Sequence, residues 1–168
     1  QTAPYEDSSI NLWFEHSFKK VFTSDTTPSG MDTYSVYMGK NEVENAQFVL
    51  YSQSTKDVVM ATVSNFTDGK GNEMSAEIYY EMYVTTDDLA TGSVLGMTAE
   101  NSIIREGETP DPVYPLAKLG NRFKLNGGKS QAFFIKVRSS EDTPAGWYSA
   151  QLDVQNSSGE IVKTATVF

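Results

Sequence analysis

The sequence contains no cysteine and a single histidine, His16. Without cysteine there is no thiol nucleophile, no disulfide framework and no zinc site built on thiolates. One imidazole is too few for an ordinary catalytic zinc centre. A Ser–His–acid triad would need His16 beside a distant serine and carboxylate, and nothing in the sequence marks either. His16 therefore reads as an ordinary residue at the end of a strand. Basic residues are scarce as well: 13 Lys and Arg stand against 22 Asp and Glu, a net charge of -9. Such a chain repels nucleic acid and anionic lipid, no basic cluster reverses the sign locally, and neither is an expected partner. No apolar run approaches the length of a membrane span, and no signal peptide is visible. No cofactor is expected.

What is present is a chain of 168 residues, enough for one domain with a real core. Residues 1–168 are accordingly expected to form a single module and a monomer. The chain stops within a strand-like run, Thr166-Val167-Phe168, as a module cut from a longer protein would. The lack of cysteine by itself does not indicate a compartment, but it fits a bacterial secreted protein that folds without disulfides, and an extracellular location is expected.

Periodicity of two recurs along the chain. Ile10, Leu12 and Phe14 alternate with Asn11, Trp13 and Glu15. Tyr34, Val36 and Met38 alternate with Ser35 and Tyr37 and suggest a second strand. Residues 45–53 are apolar on both faces, which suggests a central strand, and 57–66 follow as a fourth. Met74, Ala76, Ile78, Tyr80, Met82 and Val84 share a core face, opposite Ser75, Glu77, Tyr79, Glu81 and Tyr83. Residues 85–121 are long and aperiodic, and Pro110, Pro112 and Pro115 argue against a regular strand there. Residues 122–125, 130–138, 146–154 and 160–168 complete about nine short strands with no amphipathic helix. That pattern predicts an all-β fold, an antiparallel two-sheet β-sandwich of jelly-roll or immunoglobulin-like type. Its expected core includes Leu50, Ile78, Tyr80, Phe133, Tyr148 and Leu152.

The stretch Thr143-Pro144-Ala145-Gly146 is a turn by composition, and a strand follows it. Tyr148, Ala150, Leu152 and Val154 fall on one face; Trp147, Ser149, Gln151 and Asp153 fall on the other. A tryptophan on a polar face beside amide and carboxylate groups suits sugar recognition: the ring stacks on a C–H face while the polar groups take hydroxyls. The competing reading is that a neighbouring loop covers Trp147, since tryptophan is highly buried on average. Trp13 also lies on a polar face. Tyr79 and Tyr83 alternate with Glu77 and Glu81, forming either an amphipathic strip for a ligand or a solvated outer face. The candidate carbohydrate-binding residues are thus Trp147, Trp13, Tyr79, Tyr83, Gln151 and Asp153.

Carboxylates are plentiful, yet no glycosidase pair is singled out. Glu42 and Glu44 read as a turn in which a carboxylate caps backbone amides. Thr86-Asp87-Asp88 offers oxygen ligands, but its spacing matches no calcium loop. No catalytic residue and no metal ligand is expected.

Four segments, in order, resemble the N-terminal β-sandwich domains of bacterial proteins related to glycoside hydrolase family 123. Asn41-Glu42-Val43-Glu44-Asn45-Ala46-Gln47-Phe48-Val49-Leu50 resembles their N-E-x-E-x-x-Q-x-x-L segment. The stretch from Thr109 to Leu116 resembles a Y-P-D-P-L-x-P loop, with Thr109 and Val113 departing from it. Gln131 to Val137 resembles a Gln-to-aromatic strand, and Thr143 to Ala150 an A-P-A-G-x-Y-x-G strand start. The resemblance implies a sandwich preceding a catalytic barrel, and so a fold and a polysaccharide context rather than an active site. The chain also resembles modules of cellulosomal enzymes of rumen anaerobes, among them carbohydrate-binding module family 78. That second resemblance implies plant cell-wall β-1,4-glucans, such as xyloglucan or mixed-linkage β-glucan, as ligands. The expectation is a non-catalytic carbohydrate-binding module that targets an attached glycoside hydrolase. Its alternative is an accessory sandwich packed on the catalytic barrel, with no ligand of its own.

Overall fold

The computed structural model describes residues 9–86 and 107–168. In chain order its strands are β1 (Ile10–Glu15), β2 (Val43–Ser52), β3 (Lys56–Val63), β4 (Phe66–Thr67), β5 (Glu73–Thr86), β6 (Gly107–Pro115), β7 (Arg122–Leu125), β8 (Lys129–Arg138), β9 (Ala150–Gln155) and β10 (Ile161–Val167). One short 3-10 turn, Leu116–Leu119, joins β6 to β7. The first sheet runs β1-β2-β8-β5-β4, with β6 also on β5; the second runs β10-β9-β3-β7. All strand pairs are antiparallel. The fold is the expected two-sheet β-sandwich.

Alternation explains how the sheets meet. Ala46, Phe48 and Leu50 of β2 and Phe133, Ile135 and Val137 of β8 all face the second sheet, where Val59, Ala61, Leu152 and Val154 are buried against them. Phe48 and Phe133 stack with ring centroids 4.8 Å apart. Leu50, Ile78, Phe133, Tyr148 and Leu152 are buried as expected, and Tyr80 packs on the same cluster half-buried.

The outer face of the first sheet is covered around Trp13, and this corrects the expectation for that residue. Its ring is 1% exposed, packed with Val21, Val49 and Ala132. Its Nε1 donates to Glu15 Oε1 at 3.1 Å. The cover is the segment after β1, which crosses the sheet: Ser130 N donates to Thr23 O at 2.9 Å, and Ser130 Oγ to Asp25 O at 2.8 Å. Period-two reading shows which face a residue takes, but not whether a later loop lies across that face.

Three further expectations change. Met82 and Val84 are exposed while Glu81 is buried. β5 pairs with β8 only through Tyr80, and beyond it with β6 alone, so its last residues leave the core. The proline-bearing segment does form a strand, β6, on the edge of β5. An edge strand tolerates proline, whose missing N–H can face away from the ladder, and a bulge sets Val113 opposite Glu81 but Pro110 opposite Tyr83. Residues 34–38 make only a single parallel bridge, Tyr34 to Val167. They run extended beside the end of β10, with Val36 N donating to Phe168 O at 2.7 Å and Phe168 N to Tyr34 O at 2.9 Å. Asp87 and Asp88 lie outside the described residues.

Trp13→Ala should therefore destabilise the fold by about 3–5 kcal/mol, a cost measurable by urea denaturation. Glu81 yields a second expectation. Burial pushes its carboxyl up to about 7, partly offset by the charge of Lys20, and its Oε2 has no hydrogen-bond partner among the described residues. Below the unfolded pKa both states hold the proton. As pH rises the unfolded chain ionises first, so stability falls between about pH 4.5 and 7 and then levels. This group should contribute a loss of roughly 3 kcal/mol across that window. Glu81→Gln should remove that slope from melts recorded between pH 4 and 8.

Candidate functional site

Trp147 is 73% exposed and Tyr37 80% exposed. Both line one groove of about 400 Å³ at an end of the sandwich, floored by Phe66, Met74 and Val137 and bordered by Phe168. Large rings left in solvent beside an apolar concavity are the informative departure from a normal surface.

Local chemistry holds both walls. Beyond β8, Ser139 Oγ donates to Gly39 O at 2.7 Å and accepts from Glu42 N at 3.0 Å. Ser139 N donates to Glu42 O at 3.0 Å. The Glu42 carboxylate accepts from Gly39 N, the capping role expected of this turn. These bonds fasten the wall carrying Tyr37. On the opposite wall, Ser140 N donates to Thr143 Oγ1 at 2.8 Å, and Tyr148 Oη donates to Pro144 O at 2.9 Å. Tyr148, buried beside the core, thus ties down the turn that presents its neighbour Trp147.

The other sequence candidates do not join Trp147. Gln151 and Asp153 lie on the outer face of the second sheet, where Gln151 Nε2 donates to Asp153 Oδ1 at 2.8 Å and Thr164 Oγ1 donates to the same oxygen at 2.8 Å. Tyr79 is on the outer face of the other sheet, with the Lys136 ammonium 4.3 Å from its ring centre and its hydroxyl donating to Glu77 at 3.1 Å. Tyr83 is half-buried there; its Oη donates to Val21 O and accepts from Ala132 N, each at 3.2 Å. Burial raises its pKa. Trp13 is buried beneath the crossing segment. Tyr37 was missed, although it carries the same signal as Trp147, an aromatic ring on the polar side of an alternating stretch. His16 is exposed and sets its ring edge-on to Tyr34. Among the described residues no group of three or more His, Asp or Glu side chains is placed to hold a metal.

The family model for the glycoside hydrolase 123 N-terminal domain matches residues 14–156. The chain belongs to this family. The matched model is the family's N-terminal domain and not its catalytic domain. Among solved structures, the chain is similar to a family 123 glycoside hydrolase from Clostridium perfringens studied for glycolipid glycan hydrolysis. That likeness has a TM-score of 0.65 and 12% identity, and covers 95% of this chain and 26% of that one. The chain thus spans about a quarter of that enzyme's length. A sporulation control protein from Bacillus subtilis matches with a TM-score of 0.37 and 10% identity, over 95% of this chain and 48% of that one. No curated protein matches.

Removing the strut under Trp147 tests how the wall is held. Tyr148→Phe should cost about 0.5–1.5 kcal/mol, the net worth of one hydrogen bond. It should also speed amide exchange at Ala145–Trp147 more than in β9.

Proposed function

We propose that this N-terminal domain is a non-catalytic glycan-binding module of a secreted glycoside hydrolase, holding a neutral β-glucan chain against Trp147 and Tyr37. The observation that carries this reading is the pair of solvent-exposed rings on one apolar groove. A pyranose has apolar C–H faces that stack on such rings. A net charge of -9 disfavours acidic polysaccharides and leaves neutral ones, such as xyloglucan and mixed-linkage β-glucan, as ligands. Family membership supports the glycan context.

A second reading has its own support. The groove floor is apolar, and Gln151 and Asp153 are turned away from it, so polar groups for hydroxyls are few. The groove would then receive an apolar segment of an attached catalytic domain.

Affinity electrophoresis and calorimetric titration with xyloglucan and barley β-glucan separate the two readings. Aromatic stacking, measured for nucleic-acid bases, is worth about 1–3 kcal/mol per contact. Trp147→Ala should accordingly weaken glucan binding by about fivefold or more while changing stability by no more than about 0.5 kcal/mol. Unchanged migration of the wild-type chain on both glucans would favour the docking reading.

A further inference from the structure

A second concavity lies at the opposite end of β5 and β8. Met74 borders the aromatic groove and Met82 borders this cleft. They are eight positions apart on one strand, roughly 26 Å at the usual rise. The cleft has a volume of about 230 Å³. It is little more than half the size of the aromatic groove, room for a small ligand rather than a folded segment.

Its chemistry differs from that of the groove. Tyr80, Met82, Glu108, Asn126, Lys129 and Gln131 line it. Lys129 Nζ and Thr23 Oγ1 both donate to Glu108 Oε2, at 2.7 and 2.9 Å. The other carboxylate oxygen is left to accept, and the ammonium retains further donors. Gln131 is over nine-tenths buried. Its Nε2 donates to Glu81 O at 2.7 Å and Ala132 O at 3.0 Å, so Oε1 is the amide atom left to accept. Met82 and the Tyr80 ring add an apolar wall. The Lys129 bond holds Glu108 below the usual carboxylate range, and in this ion pair the two opposite charges offset each other. An ionic ligand would have to break that pair. A neutral polyol can give one hydroxyl to the carboxylate and take a bond from the ammonium with the next.

From this placement we infer that the Glu108–Lys129 cleft is a second carbohydrate site, which takes a single neutral pyranose unit through a vicinal diol. The inference rests on the reading of the domain as a glycan binder, but on residues that the groove does not share. Two sites on one rigid sandwich would let the module hold two glycan segments at once, raising avidity without any new contact.

Titration of the isotope-labelled 168-residue chain with D-glucose, D-xylose and D-galactose, followed by amide chemical shifts, tests this. At least one sugar should shift the amides of Met82, Asn126 and Lys129 in a saturable way. The Kd should be unchanged in Trp147→Ala and at least tenfold higher in Glu108→Gln. Asn126→Ala, which leaves the ion pair in place, should weaken binding too and serves if Glu108→Gln perturbs the fold. No saturable shift at these amides with any of the three sugars overturns the proposal, as does an unchanged Kd in a folded Glu108→Gln. Shifts confined to the groove, and lost in Trp147→Ala, would overturn the cleft while leaving the module's glycan binding intact.

Discussion

The structure depends first on the pairing of β2 with β8. Ten consecutive residue pairs, from Val43 with Arg138 to Ser52 with Lys129, set the register. β1 is added to one side of this ribbon and β5 to the other. Because side chains alternate, a slip of one residue would turn either Phe48 and Leu50 or Phe133 and Ile135 out of the core and bring Gln47 or Phe134 in. The register is therefore the condition for every other contact between the sheets.

The same ribbon positions both concavities, because each lies where it ends. At one end, Ser139 and Ser140 bind the turn before β2 and the turn before β9, which form the walls of the aromatic groove. At the other, the turn Asn126-Gly127-Gly128 folds back on the chain after β2. Gly128 N donates to Ser52 O at 2.8 Å, and Gly127 N to Thr55 Oγ1 at 3.0 Å. A Cβ at Gly127 would lie 2.6 Å from the Thr55 backbone nitrogen, so only glycine fits. This close approach places Asn126 and Lys129 on the rim of the polar cleft.

Surface availability follows from the layering. One face of the first sheet is occupied by the second sheet, and part of the other by the segment over Trp13. The outer face of the second sheet satisfies Gln151, Asp153 and Thr164 among themselves. Rings and unspent hydrogen-bonding groups are left at the ends of the strands, where no layer can cover them. Similarity to the Clostridium perfringens enzyme at 12% identity is a likeness of fold, which leaves such end loops free to differ.

Local alternation and turn composition were enough, from the sequence alone, to identify an all-β sandwich, the central place of β2, the hairpin of β9 and β10 and most of the core. Those properties arise from neighbours within a strand, so they are written in short windows. The family was legible for a similar reason: its segments, such as the one around Gln47 and the turn before Trp147, are contiguous. Only the tertiary structure decided which of two similar tryptophans is exposed. Trp13 and Trp147 each sit on a polar face, but a segment more than a hundred residues before β8 in sequence is bonded to Ser130 and closes over the first, while among the described residues none closes over the second. The same holds for Tyr37, Glu108 and Lys129, whose roles depend on strand order and on where β5 outruns its partner. Periodicity assigns a face, but cover and convergence are relations between distant segments, and those are settled by packing.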